Sequence, residues 1–315
     1  MPRVVVTRAL PEPALRALRA SGADVWVSPE DRALGAEELH AAVRGADAVV
    51  TMLHDRVDDA LLSAAGDQLR VVANVAVGYD NVDLDAARRH GVTITNTPGV
   101  LTDATADLAI ALMLAITRRL GEGERVIRSG EPWAWSIDFM LGRGLRGKTI
   151  GIVGYGAIGR ATAARARAFG MQVVYTKRSA GADPGRVELE ELLERSHVVS
   201  LHCPLTPETR HLIDAGALAR MRDDAYLVNT ARGPVVDEAA LADALRDGVI
   251  AGAALDVFER EPAVHPDLLG LENAVLVPHL GSATIETRTA MAELAGANAI
   301  AVLAGDEPLT PVLKA

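Results

Sequence analysis

A glycine-punctuated turn constrains this chain more than any other stretch. Residues 148–153 form a short apolar run, and Gly154-Tyr155-Gly156-Ala157-Ile158-Gly159 follows. An Ala- and Arg-rich run then leads to Phe169 and Gly170, and a second apolar run covers 171–175. That order is strand, glycine turn, helix, strand: a βαβ unit with Gly-x-Gly-x-x-Gly at the strand-to-helix junction. Gly154 permits the tight turn, Gly156 lets a pyrophosphate approach the backbone, and Gly159 lets the helix lie close to the strand. The helix N-terminus adds N–H donors and partial positive charge. A glycine turn serving only an α/β core would leave Gly156 unexplained, so the stretch is read as a dinucleotide site contacted by Tyr155, Ala157 and Ile158 as well.

The 315 residues suffice for about two domains. A 49% hydrophobic and 23% charged composition gives no sign of disorder. The formal net charge of −10 argues against nucleic acid or an anionic membrane as partner, while leaving room for an anionic small substrate held by a local basic group. Cys203 is the single cysteine, which excludes a disulfide framework and suits a reducing cytoplasm. The apolar start is too short for a signal peptide, and the apolar stretch 108–116 is too short for a membrane span. A cytoplasmic protein is expected. No spacing of His, Cys or carboxylates resembles a metal site.

Residues 3–96 alternate short apolar runs with amphipathic segments, the pattern of a small parallel sheet covered on both faces. This first domain ends near Pro98-Gly99. A long helix is expected over 102–128, capped by Thr102 or Asp103. Its wide apolar surface suits either burial within its own chain or a subunit interface. A loop bearing Trp133 and Trp135 follows, and aromatics on a loop suggest a partner or ligand. The second domain continues through strands over 197–201, 225–229, 250–255 and 274–277. A last helix over 286–303, with no new strand after it, is expected to cross back onto the first domain. The fold class is therefore α/β with two doubly wound parallel sheets. A cofactor domain (99–285) is inserted into a discontinuous, flavodoxin-like substrate domain (1–98 plus 286–315).

In such sheets ligands bind beyond the carboxyl ends of the strands. Three polar groups obey that rule: Arg232 after 225–229, Asp256 and Glu261 after 250–255, and His279 after 274–277. Each has a plain alternative, as a solvated loop arginine, a charged turn and a capping histidine. Their common placement favours function. His202, Cys203 and Pro204 also end a strand and are expected to line the cofactor cleft without reacting. The remaining histidines at 40, 90, 197, 211 and 265 are read as structural.

Five stretches together resemble the D-isomer-specific 2-hydroxyacid dehydrogenases over essentially the whole length. They are Val77-Gly78-Tyr79-Asp80-Asn81-Val82-Asp83, the glycine turn, Asn229-Thr230-Ala231-Arg232-Gly233-Pro234, Leu255-Asp256-Val257-Phe258-Glu259-Arg260-Glu261-Pro262 and Pro278-His279-Leu280-Gly281-Ser282. Within the family the chain is most similar to the glyoxylate and hydroxypyruvate reductases, and the extra regulatory domain of longer phosphoglycerate dehydrogenases is not expected. The resemblance implies reduction of a small 2-keto acid by a homodimeric enzyme. Arg232 would hold the substrate carboxylate, with the N–H groups of Val77 and Gly78 gripping it from the other side. His279 would protonate the keto oxygen, Glu261 would pair with His279 and raise its pKa, and Asp256 would orient the nicotinamide. Thr209, Thr230, Ala231 and Gly281 join the expected cofactor contacts. Leu53 and Ser282, together with Trp135 of the partner subunit, join the substrate contacts. His54 departs from the small polar or acidic residue usual beside the substrate loop. Two other functions on this fold are a cofactor-sensing corepressor, whose peptide groove and tails are not evident, and a dehydrogenase for another acid such as 3-phosphoglycerate.

NAD-binding domains usually end the second strand in Asp or Glu, which binds both ribose hydroxyls and repels a 2′-phosphate. Here Thr176 takes that place and Lys177 and Arg178 follow. NADP is expected to be preferred, with NAD possible if the two cations are only solvated turn residues.

Overall fold

The computed structural model describes residues 1–178 and 184–314. Its strands are β1 (Arg3–Val6), β2 (Asp24–Val27), β3 (Ala48–Thr51), β4 (Val71–Asn74), β5 (Thr93–Thr95), β6 (Thr149–Val153), β7 (Gln172–Thr176), β8 (Val198–Leu201), β9 (Tyr226–Asn229), β10 (Gly252–Leu255), β11 (Ala274–Leu276) and β12 (Pro311–Leu313). Its helices are α1 (Glu12–Ala20), α2 (Ala36–Val43), α3 (Asp59–Ala65), α4 (Leu84–His90), α5 (Thr102–Thr117), α6 (Leu120–Ser129), α7 (Ala157–Ala168), α8 (Leu189–Arg195), α9 (Ala215–Arg220), α10 (Glu238–Arg246) and α11 (Ile285–Ala304). They form two compact units: Met1–Leu101 with the segment from Ala283 onward, and Thr102–Ser282.

The first unit is built on a sheet of order β12-β5-β4-β3-β1-β2. Strands β1 to β5 are parallel and give the flavodoxin-like winding. Parallel strands buried on both faces read as continuous apolar runs rather than alternating ones, and Val4, Val5 and Val6 are all fully buried. Side chains alternate between faces. Val5, Val49 and Val72 pack against Leu61, Leu62 and Leu39, while Val4, Val6 and Val50 meet Leu18 of α1 and Ala295 of α11. Asp58 and Asp83 start α3 and α4 by accepting the Leu61 N–H and the Asp85 and Ala86 N–H groups.

The second unit carries the all-parallel order β11-β10-β9-β8-β6-β7. A single parallel bridge from Tyr175 to Arg186 extends it beyond β7. The winding reverses between β6 and β8, so a crevice opens at their carboxyl ends. Ile110, Met113 and Ile116 of α5 share one core with Ile150, Ile152 and Ala163. Leu192, Leu218 and Leu241 of α8, α9 and α10 cover the opposite face.

Two sequence expectations need correction. The helix expected over 102–128 is two helices. The Thr117 hydroxyl donates to the Met113 carbonyl at 2.7 Å, and the Thr117 carbonyl accepts the Arg143 N–H at 2.7 Å. The chain leaves the helix, Arg119 turns left-handed (φ 55°), and α6 restarts at Leu120. Nor does the chain end without a strand, and the first sheet is not wholly parallel. After the Gly305 cap, β12 pairs antiparallel with β5, Pro311 opposite Thr95. Three residues beginning with proline carry almost no strand signal, yet proline is tolerated at the first position of an edge strand.

Candidate active site

The carboxyl ends of β6 to β11 share one edge of the second unit. At β6, Gly154 is left-handed (φ 93°), and a Cβ there would lie 2.5 Å from the Cys203 nitrogen. Gly156 caps α7 in an extended conformation with open space around its Cα. A Cβ on Gly159 would fall on the Gly154 carbonyl. The three positions fit a pyrophosphate laid over the turn onto the N–H groups of Ala157 and Ile158. The Tyr155 ring is stacked on Tyr175 with centroids 3.7 Å apart. The Thr176 carbonyl accepts the Gly154 N–H at 3.0 Å and ties β7 to the turn. Lys177 is half-buried and Arg178 exposed, while Ser179 lies outside the described residues.

At β8, the His202 ring lies 2.9 Å from the Ser200 hydroxyl and 3.5 Å from that of Thr230. Burial pushes its pKa down to about 4, so it is neutral across the physiological range. Burial pushes the adjoining Cys203 thiol up to about 11, which leaves it unreactive. The Thr209 hydroxyl folds its own turn, donating to the Pro204 carbonyl at 2.7 Å and accepting the Thr206 N–H at 2.8 Å.

At β9, Asn229 shapes the turn that carries Arg232. Its side chain accepts the Ala231 N–H at 3.0 Å and donates to the Arg232 carbonyl at 2.9 Å. The Arg232 guanidinium donates to the Ala231 carbonyl at 2.9 Å. A Cβ on Gly233 would overlap the backbone at Phe258 and Glu259, so the turn interlocks with the loop after β10.

That loop holds Asp256 and Glu261. Asp256 is buried, and its carboxylate accepts the N–H groups of Leu280 at 2.5 Å and Gly281 at 2.9 Å. Desolvation raises its pKa. Glu261 accepts the Phe258 N–H at 3.1 Å through one oxygen and meets His279 Nδ1 at 2.8 Å through the other. Burial alone would raise the Glu261 carboxyl, but the hydrogen bond and charge of His279, the Phe258 N–H and Arg232 together hold it below the usual carboxylate range. His279 itself is left-handed (φ 52°), and its N–H donates to the Asp256 carbonyl at 2.8 Å. With Nδ1 on a carboxylate, Nε2 is the end left for proton transfer. Ser282 follows, half-buried.

In the first unit, Leu53 and His54 follow β3, while Val77 and Gly78 follow the neighbouring β4. Asn81 stitches the two loops together by donating to the carbonyls of Met52 at 3.3 Å and Asp55 at 2.9 Å. His54 lies 3.7 Å from the buried Asp55 carboxylate. Trp135 stands 76% exposed on the segment after α6.

Residues 110–281 match the family model for the D-isomer specific 2-hydroxyacid dehydrogenase NAD-binding domain. The chain belongs to the D-isomer specific 2-hydroxyacid dehydrogenases. It is similar to the glyoxylate reductase of Thermococcus kodakarensis, 48% identical over 99% of this chain and 96% of that protein. Among solved structures it is similar to a protein from Thermus thermophilus, with TM-score 0.93, 47% identity and coverage of 99% and 100%. The NADPH-dependent glyoxylate/hydroxypyruvate reductase of Sinorhizobium meliloti, solved with NADP and malonate, gives TM-score 0.84 and 34% identity over 99% and 96%. The protein is thus an oxidoreductase of this family with a nicotinamide-cofactor domain.

Reading the dehydrogenase's sequence misses three supports of the site. Asn229 shapes the Arg232 turn, Asp256 fixes the Leu280-Gly281 turn, and Asn81 joins the two loops of the first unit. The signal for Asn229 is present, since an Asn ending a strand before a turn commonly bonds its own backbone two residues on. The partners of Asp256 and Asn81 are long-range and leave no mark on local sequence.

Proposed function

We propose that this dehydrogenase reduces small 2-keto acids, glyoxylate and hydroxypyruvate foremost, to D-2-hydroxy acids. The observation that carries this reading is the 2.8 Å His279–Glu261 pair on the same sheet edge as the glycine turn and Arg232. The names of the Thermococcus and Sinorhizobium relatives support the substrate class. A nicotinamide cofactor held at this edge would supply the hydride for the keto carbon. Arg232 pairs with the substrate carboxylate as a planar fork, and the N–H groups of Val77 and Gly78 donate to it. His279 gives the proton on Nε2 to the carbonyl oxygen as charge develops there, and Glu261 holds the ring for that transfer. Asp256, whose carboxylate is already fixed by two backbone donors, would orient the nicotinamide carboxamide. Leu53 and Ser282, together with Trp135 of the partner subunit, bound the substrate.

Three finer readings accompany it. NADPH is the preferred cofactor, since Thr176 replaces the acid and Lys177 and Arg178 follow. The enzyme is a homodimer. It works in the cytoplasm; among the described residues no helix is long and apolar enough to cross a membrane. Cofactor oxidation with glyoxylate, hydroxypyruvate, pyruvate and a bulkier 2-keto acid tests the main proposal. The two small acids should give the highest catalytic efficiencies, and no turnover on any of the four would defeat it.

A further inference from the structure

The loop after β4 presents three consecutive peptide groups whose carbonyl ends are all anchored. The Ala76 carbonyl accepts the Thr97 N–H at 2.9 Å. The Val77 carbonyl accepts Asn96 Nδ2–H at 2.8 Å, and the Gly78 carbonyl accepts Asn74 Nδ2–H at 3.1 Å. In a trans peptide the C=O and the following N–H point in opposite directions across a rigid plane. Anchoring the three oxygens therefore also sets the N–H groups of Val77, Gly78 and Tyr79. None of these N–H groups donates to an acceptor among the described residues. Val77 and Gly78 are half-buried and Tyr79 exposed. Successive backbone N–H groups of this kind form a concavity suited to an anion.

The anchors are themselves held. Asn74 is fully buried, and its Oδ1 accepts from Thr51 Oγ1 at 3.2 Å and from Asn81 Nδ2 at 3.2 Å. Asn96 donates its N–H to the Thr310 carbonyl at 3.3 Å and accepts the Thr310 hydroxyl on its own carbonyl at 2.6 Å. Thr310 is gripped in turn by the fully buried Asn298 of α11, at 2.8 and 3.0 Å. A polar chain thus runs from α11 through the approach to β12 and across Asn96 to the Val77 peptide. Buried polar networks cost stability unless every member is satisfied, and both branches here end on carbonyls of the same loop.

We propose that Asn96 and Asn74 are positioning residues for the 2-keto acid carboxylate, holding the Val77, Gly78 and Tyr79 N–H groups toward it, with Tyr79 as a donor beyond the two named above. This rests on the reading that the loop grips the substrate carboxylate. Without the Asn96 amide, the Val77–Gly78 peptide is free to rotate and turn a carbonyl oxygen toward the anion.

Asn96→Ala is compared with the wild type for KM and kcat with glyoxylate, inhibition by oxamate, cofactor affinity and melting temperature. Oxamate is an unreactive analogue that keeps the carboxylate. The expected result is a rise of about tenfold in both KM and the oxamate inhibition constant, the scale of one lost hydrogen bond to a charged group. kcat and cofactor affinity should stay near the wild-type values. Unchanged KM and oxamate inhibition would overturn the proposal, as would a parallel loss of kcat and cofactor affinity. Should Asn96→Ala fail to fold, Thr310→Val removes the hydroxyl that holds Asn96. It should move KM and oxamate inhibition in the same direction, and no movement would be equally fatal. A wild type that neither reduces glyoxylate nor binds oxamate removes the parent reading and this one with it. A wild type that does both while the variants match it removes the positioning role alone.

Discussion

His279 shows how much a single position can carry. Its place after the last parallel strand is readable in the sequence, whereas its left-handed backbone and 2.8 Å bond to Glu261 are products of tertiary folding. His279→Ala should lower turnover by about 10²–10⁴-fold, the usual loss for a positioned general acid, with cofactor affinity nearly intact by fluorescence titration. Near-normal turnover would remove it from the mechanism. The proposed NADPH preference rests mainly on Arg178. Its charge helps to lower the pKa of Glu208, after the Thr206 hydroxyl and the Glu208 backbone N–H, so a carboxylate on the next loop competes for it. Arg178→Ala should nevertheless reduce the catalytic efficiency with NADPH more than with NADH. A preference surviving that change, or a wild type favouring NADH, would refute the assignment. His202 gives a pH signature of folding. Its pKa of about 4 in the folded state lies below the ordinary histidine value of 6.5. The unfolded chain therefore binds the extra proton first as pH falls. Folding stability is therefore at its full value above the ordinary value and falls progressively between the two as pH drops. Urea unfolding of His202→Asn should show a flatter pH dependence across that window.

At the scale of elements, the strands and most helices were legible because strand and helix periods differ and because parallel strands announce themselves as valine runs. At the starts of α3, α4, α9 and α10, Asp58, Asp83, Asp214 and Asp237 each accept a first-turn N–H. What was illegible was governed by contacts distant in the chain. Ala115-Ile116-Thr117-Arg118-Arg119-Leu120 contains no helix breaker. The break between α5 and α6 comes from Arg143, whose N–H takes the Thr117 carbonyl. Gly142 makes that approach possible, because a Cβ there would lie 2.5 Å from the Thr117 oxygen and 3.0 Å from the Arg118 Cα. Gly142→Ala should therefore destabilise by about 1–3 kcal/mol in urea unfolding, the range for forced overpacking. The control Gly144→Ala, which meets nothing within 4 Å, should cost less than about 0.5 kcal/mol. Equal effects at the two positions would show that the α5–α6 break does not depend on this approach.

For the whole molecule, the alternation of apolar runs with amphipathic segments reads correctly as an α/β chain with two sheets, and the remaining question is what covers its exposed apolar segment. Helix α6 has no buried residue, with Leu120 57% and Ile127 59% exposed. Beyond it Trp133, Trp135, Ile137 and Leu141 are 53%, 76%, 82% and 64% exposed, a concentration of apolar side chains that a lone soluble chain does not usually present. Trp133 stacks on Phe139 at 6.0 Å, so the segment has its own order before any partner arrives. A standard interface buries about 800 Å² on each side, with aromatics enriched at its core. The net charge of −10 opposes association only within a screening length of about 8 Å at physiological salt, beyond which it is largely screened. Sedimentation should therefore find a dimer at micromolar concentration, and Ile137→Asp, which places a charge where desolvation is needed, should shift it toward monomer. Trp135→Ala separates the two roles proposed for the segment. If the partner's Trp135 bounds the substrate, this variant should remain dimeric while its KM for glyoxylate rises. A stable wild-type monomer would show that assembly does not depend on this segment, and an Ile137→Asp monomer with unchanged KM and kcat would show that substrate binding needs no residue of a partner.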